Sequence, residues 1–501
     1  MTAYIKNLET EIFSLANEQY GNMITNLLSS EMHDKEHGQI EAFINTQGKE
    51  LMRCLLQSYL NLRSQGEIKQ TSISGSDGVE RTHRRKDCSR TLATIFGDVE
   101  LRRISYSKPG VSTLFPLDGA LNLPPDKYSQ GLREIVAESA AKGSFENVVR
   151  DIAQYTAGKV PKRQAEQLVQ KVSEDFDEFY EQKPCAEVNS EDLLILTTDA
   201  KGIVVRQEDL REATRKAAEN ERHKKQTRLS RGEKNNRKRM AQVASIYSIN
   251  PHKRTAEDIM NIAEIAEVNT KRPKPANKRV WASIEKNSNT VIQEMFEEAN
   301  RRDPEKQQQW IALVDGNTDQ IKRIEAAALA MNVCLVIVMD FIHVLEYLWK
   351  SAYALFGEDG DQAEKWVSSS ALKLLYSKTR QVVTDMRSRA TRAGLTSDQR
   401  KPVEVCATYL LKNKKRLDYK MALENGWPIA TGVIEGACRH LIKDRMDITG
   451  ARWSLTGAEG VLKLRALRSS GDMDAYKDFH VQQERKRNYR ELNDYEFRAA
   501  A

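Results

Sequence analysis

The sequence has few cysteines and no long apolar run. Its six cysteines are scattered among 501 residues without a C-x-x-C motif, which argues against a disulfide framework and a structural zinc site. No stretch approaches the roughly 20 apolar residues that a membrane helix needs. The first residues, MTAYIKNLETEIFSLANEQY, lack the apolar core of a signal peptide. These absences predict a cytoplasmic protein without zinc.

The composition is that of a polar, globular protein. Hydrophobic residues make up 40% and charged residues 30% of the chain, which excludes fibrous and disordered classes. A net charge of +7, from 78 basic and 71 acidic residues, permits nucleic-acid binding without requiring it. The distribution of the basic residues therefore matters more than their sum.

The first part of the chain alternates between helical and β-like patterns. Residues 1–75 have apolar residues at three- and four-residue intervals, which predicts helices. Residues 76–130 form a basic, β-rich patch around the turn FGDVE, and residues 131–188 are again helical. Within them, SFENVVRDIAQYTAGKVPKRQAEQLVQKV has the helix–break–helix pattern of a DNA-binding helix-turn-helix, and equally that of an ordinary helical hairpin.

Residues 189–343 predict an α/β domain. The strand-like stretches are LLILTTDAKGIVV, MAQVASIYSINPH, VWASI, WIALVDGN and VCLVIVMDFIHV, with a helix before each of the last two and a basic insert at 206–239. The first three strands suit a meander, and strands joined through a helix should be parallel. This is the strand order of an RNase H-like sheet.

The rest of the chain is predicted to be mainly helical. Residues 344–425 have long helical patterns, and residues 426–475 contain GVIEGACRHLIKDRMDITGARWS, a helix that should pack on the sheet. Residues 476–501 are predicted to be a polar tail.

Three carboxylates could meet at one site. Asp199 and Asp315 each follow an apolar run and precede a glycine, on the strands that an RNase H-like sheet makes neighbours. Glu435, at the start of a helix rich in small residues, is the third candidate, with Glu424 and Glu459 as competitors. Carboxylates close in space bind Mg²⁺, and two such ions support phosphodiester chemistry. Each acid alone also suits a structural role: an aspartate before glycine is common in turns, and a first-turn glutamate complements the helix dipole.

Five stretches, in this order, resemble bacterial DDE insertion-sequence transposases of the ISKra group, akin to the ISLre and Mutator-like branches. They are LLILTTDAKG, WIALVDGN, VIVMDFIHVLEYLW, GVIEGACRHLIKDRMDITGARWS and GAEGVLKLRALRSS, and the resemblance runs from about residue 80 to about residue 475. It implies that Asp199, Asp315 and Glu435 are the catalytic and metal-binding acids, that Asp340 and His343 match an accessory C/D-x-x-H pair, and that residues 344–425 are an all-α insertion. Relatives often have paired cysteines near the basic patch, and this chain lacks them.

The resemblance also implies an activity. The expected enzyme cleaves the ends of its insertion element and joins them to target DNA with two Mg²⁺ ions, or Mn²⁺ in their place. Its expected partners are double-stranded DNA, as terminal inverted repeats and target, and a second copy of the chain in the synaptic complex. Two alternatives stay open: a transposase-derived DNA-binding protein without activity, and an RNase H-like nuclease without strand transfer.

Several further residues are predicted to serve the site. His343 is placed to hydrogen-bond Asp340 across one helical turn. The basic run at 211–239 suits phosphate binding or a solvated surface. The candidate DNA contacts are Lys201, Arg237, Lys238, Arg239, Lys443, Arg445, Arg452 and Trp453. For Trp453, packing in the core is slightly favoured over stacking on a displaced base.

Overall fold

The computed structural model describes residues 11–187, 189–220, 237–260, 272–357, 360–448 and 450–489. Most of the predicted basic run at 211–239 and the end of the predicted polar tail lie outside these ranges. The chain divides into two compact units, Met1–Gln182 with Asp472–Ala501, and Lys183–Gly471. Within the described ranges, no helix is both long enough and apolar enough to cross a membrane.

The first unit combines helices with a long β-hairpin. Its helices are Ser14–Leu27, Ser30–His33, His37–Gln65, Pro116–Ala120, Gln130–Lys142, Phe145–Tyr155, Lys162–Val172, Phe176–Gln182 and Met473–Tyr489. Its strands are β1 (Ile73–Ser74), β2 (Glu80–Arg81), β3 (His83–Thr94) and β4 (Gly97–Ser107), paired antiparallel as β1–β2 and β3–β4. Leu60 packs with Leu92, Val99 and Leu101 and so fixes the longest helix on the hairpin.

The predicted helix–break–helix at 144–172 is present. Ser144 caps the helix Phe145–Tyr155 by accepting the Asn147 N–H, and Lys162–Val172 begins after Pro161. Both helices also pack against Gln130–Lys142, which gives a three-helix cluster.

Part of the basic β-patch is internal to the unit. Arg81 is fully buried and its guanidinium pairs with Asp77 at 2.8 Å. Arg90 and Arg103 both pair with the buried Asp118, at 3.1 and 3.0 Å. These three arginines hold the fold together, whereas Arg84, Arg85, Lys86 and Arg102 remain exposed.

The described part of the predicted polar tail, residues 476–489, belongs to the helix Met473–Tyr489. Met473–Tyr489 buries His480 and Glu484 against the first unit. His480 Nδ1 lies 2.6 Å from Asp175 Oδ2, and Arg487 lies 2.8 Å from Oδ1. Burial raises the pKa of Asp175, but hydrogen bonds from His480 and Arg487 outweigh it and hold that pKa at about 2. The polar side chains of this helix therefore pair with buried groups inside the first unit. The sequence shows their polarity but not these partners, so it suggested a solvated tail.

The second unit is built on a mixed five-stranded sheet. Its strands are β5 (Leu193–Val204), β6 (Lys238–Ile249), β7 (Ala276–Ser283), β8 (Gln309–Val314) and β9 (Leu335–Met339), in the spatial order β7-β6-β5-β8-β9. The β5–β6 and β6–β7 pairs are antiparallel, whereas β5–β8 and β8–β9 are parallel. The predicted α/β class, the three-strand meander and the two parallel strands are confirmed.

Helices cover this sheet and extend beyond it. They are Glu212–Glu219, Ala256–Met260, Ser288–Arg302, Thr318–Ala330, Phe341–Phe356, Gly360–Leu375, Thr379–Arg392, Ser397–Lys412, Tyr419–Glu424, Gly432–Ala437 and Leu455–Ser470. The described residues of 344–425 are mainly helical, as predicted. This segment is tied to the sheet end by Tyr419, which donates to the Met339 carbonyl (3.1 Å), and by Lys412, which donates to Thr318 Oγ1 (2.8 Å).

Candidate active site

Strand register sets three aspartates at the same level of the sheet. The parallel pairs between β5 and β8 end at Thr197 and Leu313, so Asp199 and Asp315 each follow by two residues. Val314 pairs with Met339, so Asp315 and Asp340 each follow by one. Asp315 therefore directly follows β8, the strand between those that bear Asp199 and precede Asp340, as the sequence predicts for the second acid.

Asp199 lies inside a strand, although the glycine that follows it in the sequence had suggested a strand end. β5 continues to Val204 because β6 stays paired with it, and Asp199 lies opposite Val243. What ends near Asp199 is the pairing with the shorter β8. The Asp199 carboxylate accepts the Ala200 N–H at Oδ1 (2.6 Å) and the Cys438 thiol at Oδ2 (3.2 Å), and it stays partly exposed.

Glu435 is carried by a short helix that packs against β5 and β6. The helix Gly432–Ala437 continues as a π-helical turn, Cys438–Lys443. Such turns occur mostly as single turns inside α-helices, frequently at functional sites. The Glu435 side chain is exposed, and its Oε1 lies 3.4 Å from the Thr431 hydroxyl. The helix thus directs Glu435 and Cys438 to the surface of the sheet that bears Asp199.

Asp199 and Glu435 line one cavity of about 440 Å³. The other lining residues are Lys201, Cys438, Arg439, Lys443 and Asp444. The Asp444 carboxylate lies 3.1 Å from the His440 Nδ1 atom. Among the described residues, neither Lys201 nor Lys443 has an ion-pair partner, and both side chains are exposed. The cavity therefore combines carboxylates with ammonium groups that are free to bind an anion.

Cys438 is held in its thiol form. Burial raises the pKa of the Cys438 thiol, and the neighbouring Asp199 carboxylate raises it further. A protonated thiol can donate to Asp199, and this hydrogen bond fixes the orientation of the carboxylate.

Asp315 lies in a turn supported by the helical segment. Its Oδ1 accepts the Asn317 N–H (2.9 Å), and the side chain is partly exposed. The Tyr409 hydroxyl donates to the Asp315 carbonyl (3.0 Å). Burial, together with neighbouring groups that include Tyr347, Asp315 and Asp340, raises the pKa of Tyr409, so this hydroxyl stays protonated. The helix Ser397–Lys412 therefore determines where the Asp315 turn lies.

Substitution of Gly316 by alanine is expected to lower the free energy of unfolding by about 1–3 kcal/mol. Gly316 has φ +98°, and an added Cβ would lie 2.6 Å from Tyr409 Cε2 and 2.7 Å from Met339 Cε. Urea unfolding measures the change. Gly432→Ala is the matched control, because nothing lies within 4 Å of a Cβ there. Equal stability of the two variants would contradict the tight packing at Gly316.

Asp340 is buried, and it bonds differently from the prediction. It is 2% exposed, caps the helix Phe341–Phe356 by accepting the Ile342 N–H (2.8 Å), and accepts the Thr431 hydroxyl. The predicted hydrogen bond to His343 is absent from the described structure. His343 instead lies 3.6 Å from Glu346 and edge-on to Tyr347. Asp340 therefore joins β9 to the segment that leads into Glu435.

The predicted DNA contacts divide into exposed and internal residues. Lys201, Lys443 and Arg452 are exposed, and Lys238 pairs with Asp447 at 2.7 Å while remaining partly accessible. Arg237 is partly buried.

The predicted DNA contact is wrong for Arg445, which is 3% exposed, whereas Trp453 is 7% exposed and packs in the core, the role that the sequence slightly favoured for it. The Arg445 guanidinium lies 4.7 Å from the Trp453 ring centre, and the indole N–H donates to Met446 O. Arg239 is half-buried and donates to the carbonyls of Ile284 and Asp209, so it too has a structural role.

The competing glutamates are explained by the fold. Glu459 is buried, and its Oε2 accepts the N–H groups of Ile284 (2.8 Å) and Glu285 (3.4 Å). Glu424 is exposed in the last turn of Tyr419–Glu424, 3.9 Å from Lys420. Neither lines the cavity with Asp199, so Glu435 is the glutamate that the structure brings to it.

Three residues near the acids were missed from the sequence. Cys438 contacts Asp199, Thr431 contacts both Asp340 and Glu435, and Tyr409 holds the Asp315 turn. Cys438 and Tyr409 act on aspartates that are far away along the chain. Thr431 acts on the equally distant Asp340 and on Glu435, which is four residues further along. Only the small-residue stretch GVIEGAC, which permits a close approach to the sheet, gave any signal.

The acids are not gathered around a single point. Across the described ranges, no group of three or more histidine, cysteine, aspartate or glutamate side chains is arranged to hold a metal ion. Comparison of the sequence with protein-family models and with curated proteins finds no match.

Proposed function

We propose that this protein is a DDE-type transposase that cleaves the ends of its element and transfers them to target DNA. The observation that carries the proposal is that Asp199 and Asp315 lie at the same level of adjacent parallel strands while Glu435 shares a cavity with Asp199. Strand register sets the two aspartates on adjacent parallel strands, and the Glu435 helix packs on the sheet beside them. The strand order β7-β6-β5-β8-β9 supports an RNase H-like core, with 344–425 as an all-α insertion.

The donor atoms of the three acids are of the type that hard divalent cations prefer. Asp199, Asp315 and Glu435 offer carboxylate oxygens at a partly exposed edge, and Mg²⁺ takes a few such ligands while keeping its own waters. When bound, Mg²⁺ supplies activation of the attacking oxygen and charge stabilisation at the phosphate. Thr431 and Cys438 would orient two of the carboxylates. Lys201 and Lys443 would bind phosphate oxygens next to the scissile bond.

The proposed reaction has two in-line steps at phosphorus. Water attacks the phosphodiester at the element end and frees a 3′-OH. That 3′-OH then attacks a phosphodiester of the target DNA and displaces a second 3′-OH. Neither step needs ATP or a covalent bond to the protein. In the first unit, the helices at 144–172 and the exposed basic residues of the hairpin are proposed to bind the terminal repeats.

A joining assay tests the proposal. The full chain is incubated with Mg²⁺, labelled linear DNA that carries the repeats flanking its gene, and a plasmid target. The expected result is cleavage followed by strand-transfer products. Asp199→Ala, Asp315→Ala and Glu435→Ala are each expected to abolish both.

The alternatives give different products. Binding without cleavage by the wild-type chain would favour a DNA-binding protein derived from a transposase. Cleavage without joining would favour an RNase H-like nuclease. Either outcome contradicts the proposal. Asp192→Ala is the control, because Asp192 precedes the same strand and hydrogen-bonds Asn250 away from the cavity.

A further inference from the structure

A buried arginine reaches the π-helical turn Cys438–Lys443. Arg465 lies in the stretch GAEGVLKLRALRSS, within the helix Leu455–Ser470, and is only 9% exposed. Its guanidinium donates from Nε to the Leu441 carbonyl (2.9 Å) and from Nη2 to the His440 carbonyl. Two carbonyls of the turn are therefore bonded by a side chain from another helix.

These two carbonyls lack the donors that an α-helix would supply. In an α-helix each carbonyl accepts the N–H four residues further along, so His440 and Leu441 would be bonded by Asp444 and Arg445. Instead, the N–H groups of Asp444 and Arg445 bond carbonyls five and three residues back, at 3.0 and 3.2 Å. The Arg465 guanidinium therefore replaces the two backbone donors that the π-helical turn takes away.

Arg465 favours the π-helical register of this turn over the α-helical one. A carbonyl in a packed position is costly to leave without a donor, and in the α-helical register the backbone itself would bond both carbonyls. An arginine can bond both at once because its donors form a fixed planar fork. Loss of the guanidinium would therefore shift the balance towards the α-helical register.

The register of the turn decides which side Lys443 faces. Successive residues of an α-helix are rotated by about 100°, so Glu435 and Lys443, eight positions apart, would differ by about 80°. The extra residue that a π-helical turn accommodates removes about 100° of this rotation and leaves them about 20° apart. The π-helical register therefore brings Lys443 to the side of Glu435, and both line the cavity with Asp199.

Side chains on the turn show the same five-residue spacing as its backbone. Arg439 Nε lies 3.6 Å from Asp444 Oδ1, whereas residues five apart in an α-helix face directions about 140° apart. His440 also lies against Asp444, at 3.1 Å. These pairs occupy the Asp444 carboxylate, and within the described ranges the neighbouring Lys443 ammonium has no ion-pair partner. The ammonium group is therefore available to bind an anion.

We infer that Arg465 is a positioning residue for phosphate binding, which holds the π-helical turn and thereby keeps Lys443 beside Asp199 and Glu435. The inference rests on the proposed function, because the phosphate is that of the DNA. Arg465 does not itself touch the DNA, since its guanidinium is buried against the turn. It acts through Lys443.

The salt dependence of DNA binding by the full chain tests the inference. Fluorescence anisotropy of a labelled duplex that carries the repeats flanking the gene gives the affinity over a range of salt concentrations, without Mg²⁺ so that no cleavage occurs. Loss of one phosphate contact lowers the slope of log affinity against log salt concentration by about 1. Lys443→Met is expected to show this change, and Arg465→Met is expected to show it as well. The double variant should also lose about 1 and not about 2, because both substitutions remove the same contact.

Arg279→Met is the matched control for the loss of an arginine from a packed position. Arg279 pairs with Glu298 at 2.7 Å and does not line the cavity, so its substitution should leave the slope unchanged. Circular dichroism confirms the fold of each variant. If Arg465→Met does not fold, Arg465→Lys, which keeps the charge but loses the planar fork, is measured in its place and is expected to lower the slope in the same way.

A change of register provides the rescue. Deletion of His440 from Arg465→Met leaves an ordinary α-helix in which Lys443 again lies about 20° from Glu435, so the slope should return to the wild-type value. A purely structural role of Arg465 would not produce this recovery.

An unchanged slope in folded Arg465→Met, or additive losses in the double variant, would overturn the inference and leave the proposed function untouched. A wild-type chain that binds no DNA would contradict both. A failed joining assay with intact DNA binding would contradict the proposed reaction alone.

Discussion

Substitution of Asp315 by alanine is expected to slow Mg²⁺-dependent DNA cleavage by at least about 10³-fold, which is about 4 kcal/mol in activation free energy. The fold should tolerate this change. The Asp315 side chain is partly exposed, and its hydrogen bond to the Asn317 N–H lies within its own turn. The free energy of unfolding should therefore change by less than about 1 kcal/mol.

The opposite result is expected for Asp340→Ala. This carboxylate is buried, caps a helix and accepts the Thr431 hydroxyl. Loss of the cap and an unpaired buried hydroxyl should together lower the free energy of unfolding by about 2–3 kcal/mol. Cleavage well below the unfolding transition should stay within about tenfold of wild type, because Asp340 orients Thr431 and is not itself a proposed ligand.

Urea unfolding and single-turnover cleavage, measured on the same preparations, separate the two roles. Asp319→Ala is the control for both, since Asp319 is exposed next to Asp315 and pairs with Arg323 at 2.9 Å. If Asp340→Ala is stable and inactive while Asp315→Ala remains active, then Asp340 is the second acid and the assignment from strand order is wrong.

The sheet could be predicted because its strands have local signals. Apolar runs of strand length, separated by helical patterns, indicated the five strands and the parallel pairs. Because these two strands are parallel neighbours, their pairing then placed Asp199 and Asp315 at the same level of the sheet. The extent of β5 did not, because its last residues are held by pairing with β6, an interaction that no local pattern encodes.

The environment of the charged residues was the part that sequence could not predict. Arg445 and Lys443 have similar local sequence, yet one is buried over Trp453 and the other is exposed at the cavity. The difference depends on the π-helical turn and on the packing of residues that are far away along the chain. The same reason explains the C-terminal helix, whose polar side chains pair inside the first unit.

The largest stability effect is expected at the pair that anchors this helix. Arg133 is 1% exposed, and its guanidinium lies 2.6 Å from Glu484 and 2.5 Å from Asp126. Removal of one partner leaves a buried charge uncompensated, so Arg133→Met should lower the free energy of unfolding of the first unit by about 3–5 kcal/mol. Hydrogen exchange of the helix Gln130–Lys142, which reports this unit alone, is the measurement.

Removal of both charges should restore most of the loss. In Arg133→Met/Glu484→Leu no glutamate is left unpaired, and Asp126 keeps Lys171 at 2.9 Å. Arg102→Met is the control, since its exposed pair with Glu100 at 3.5 Å contributes little. If Arg133→Met is as stable as Arg102→Met, the helix Met473–Tyr489 contributes little to the stability of the first unit. The expected loss and its rescue would instead establish the helix as part of the core of the first unit, which residues from both ends of the chain would then build together.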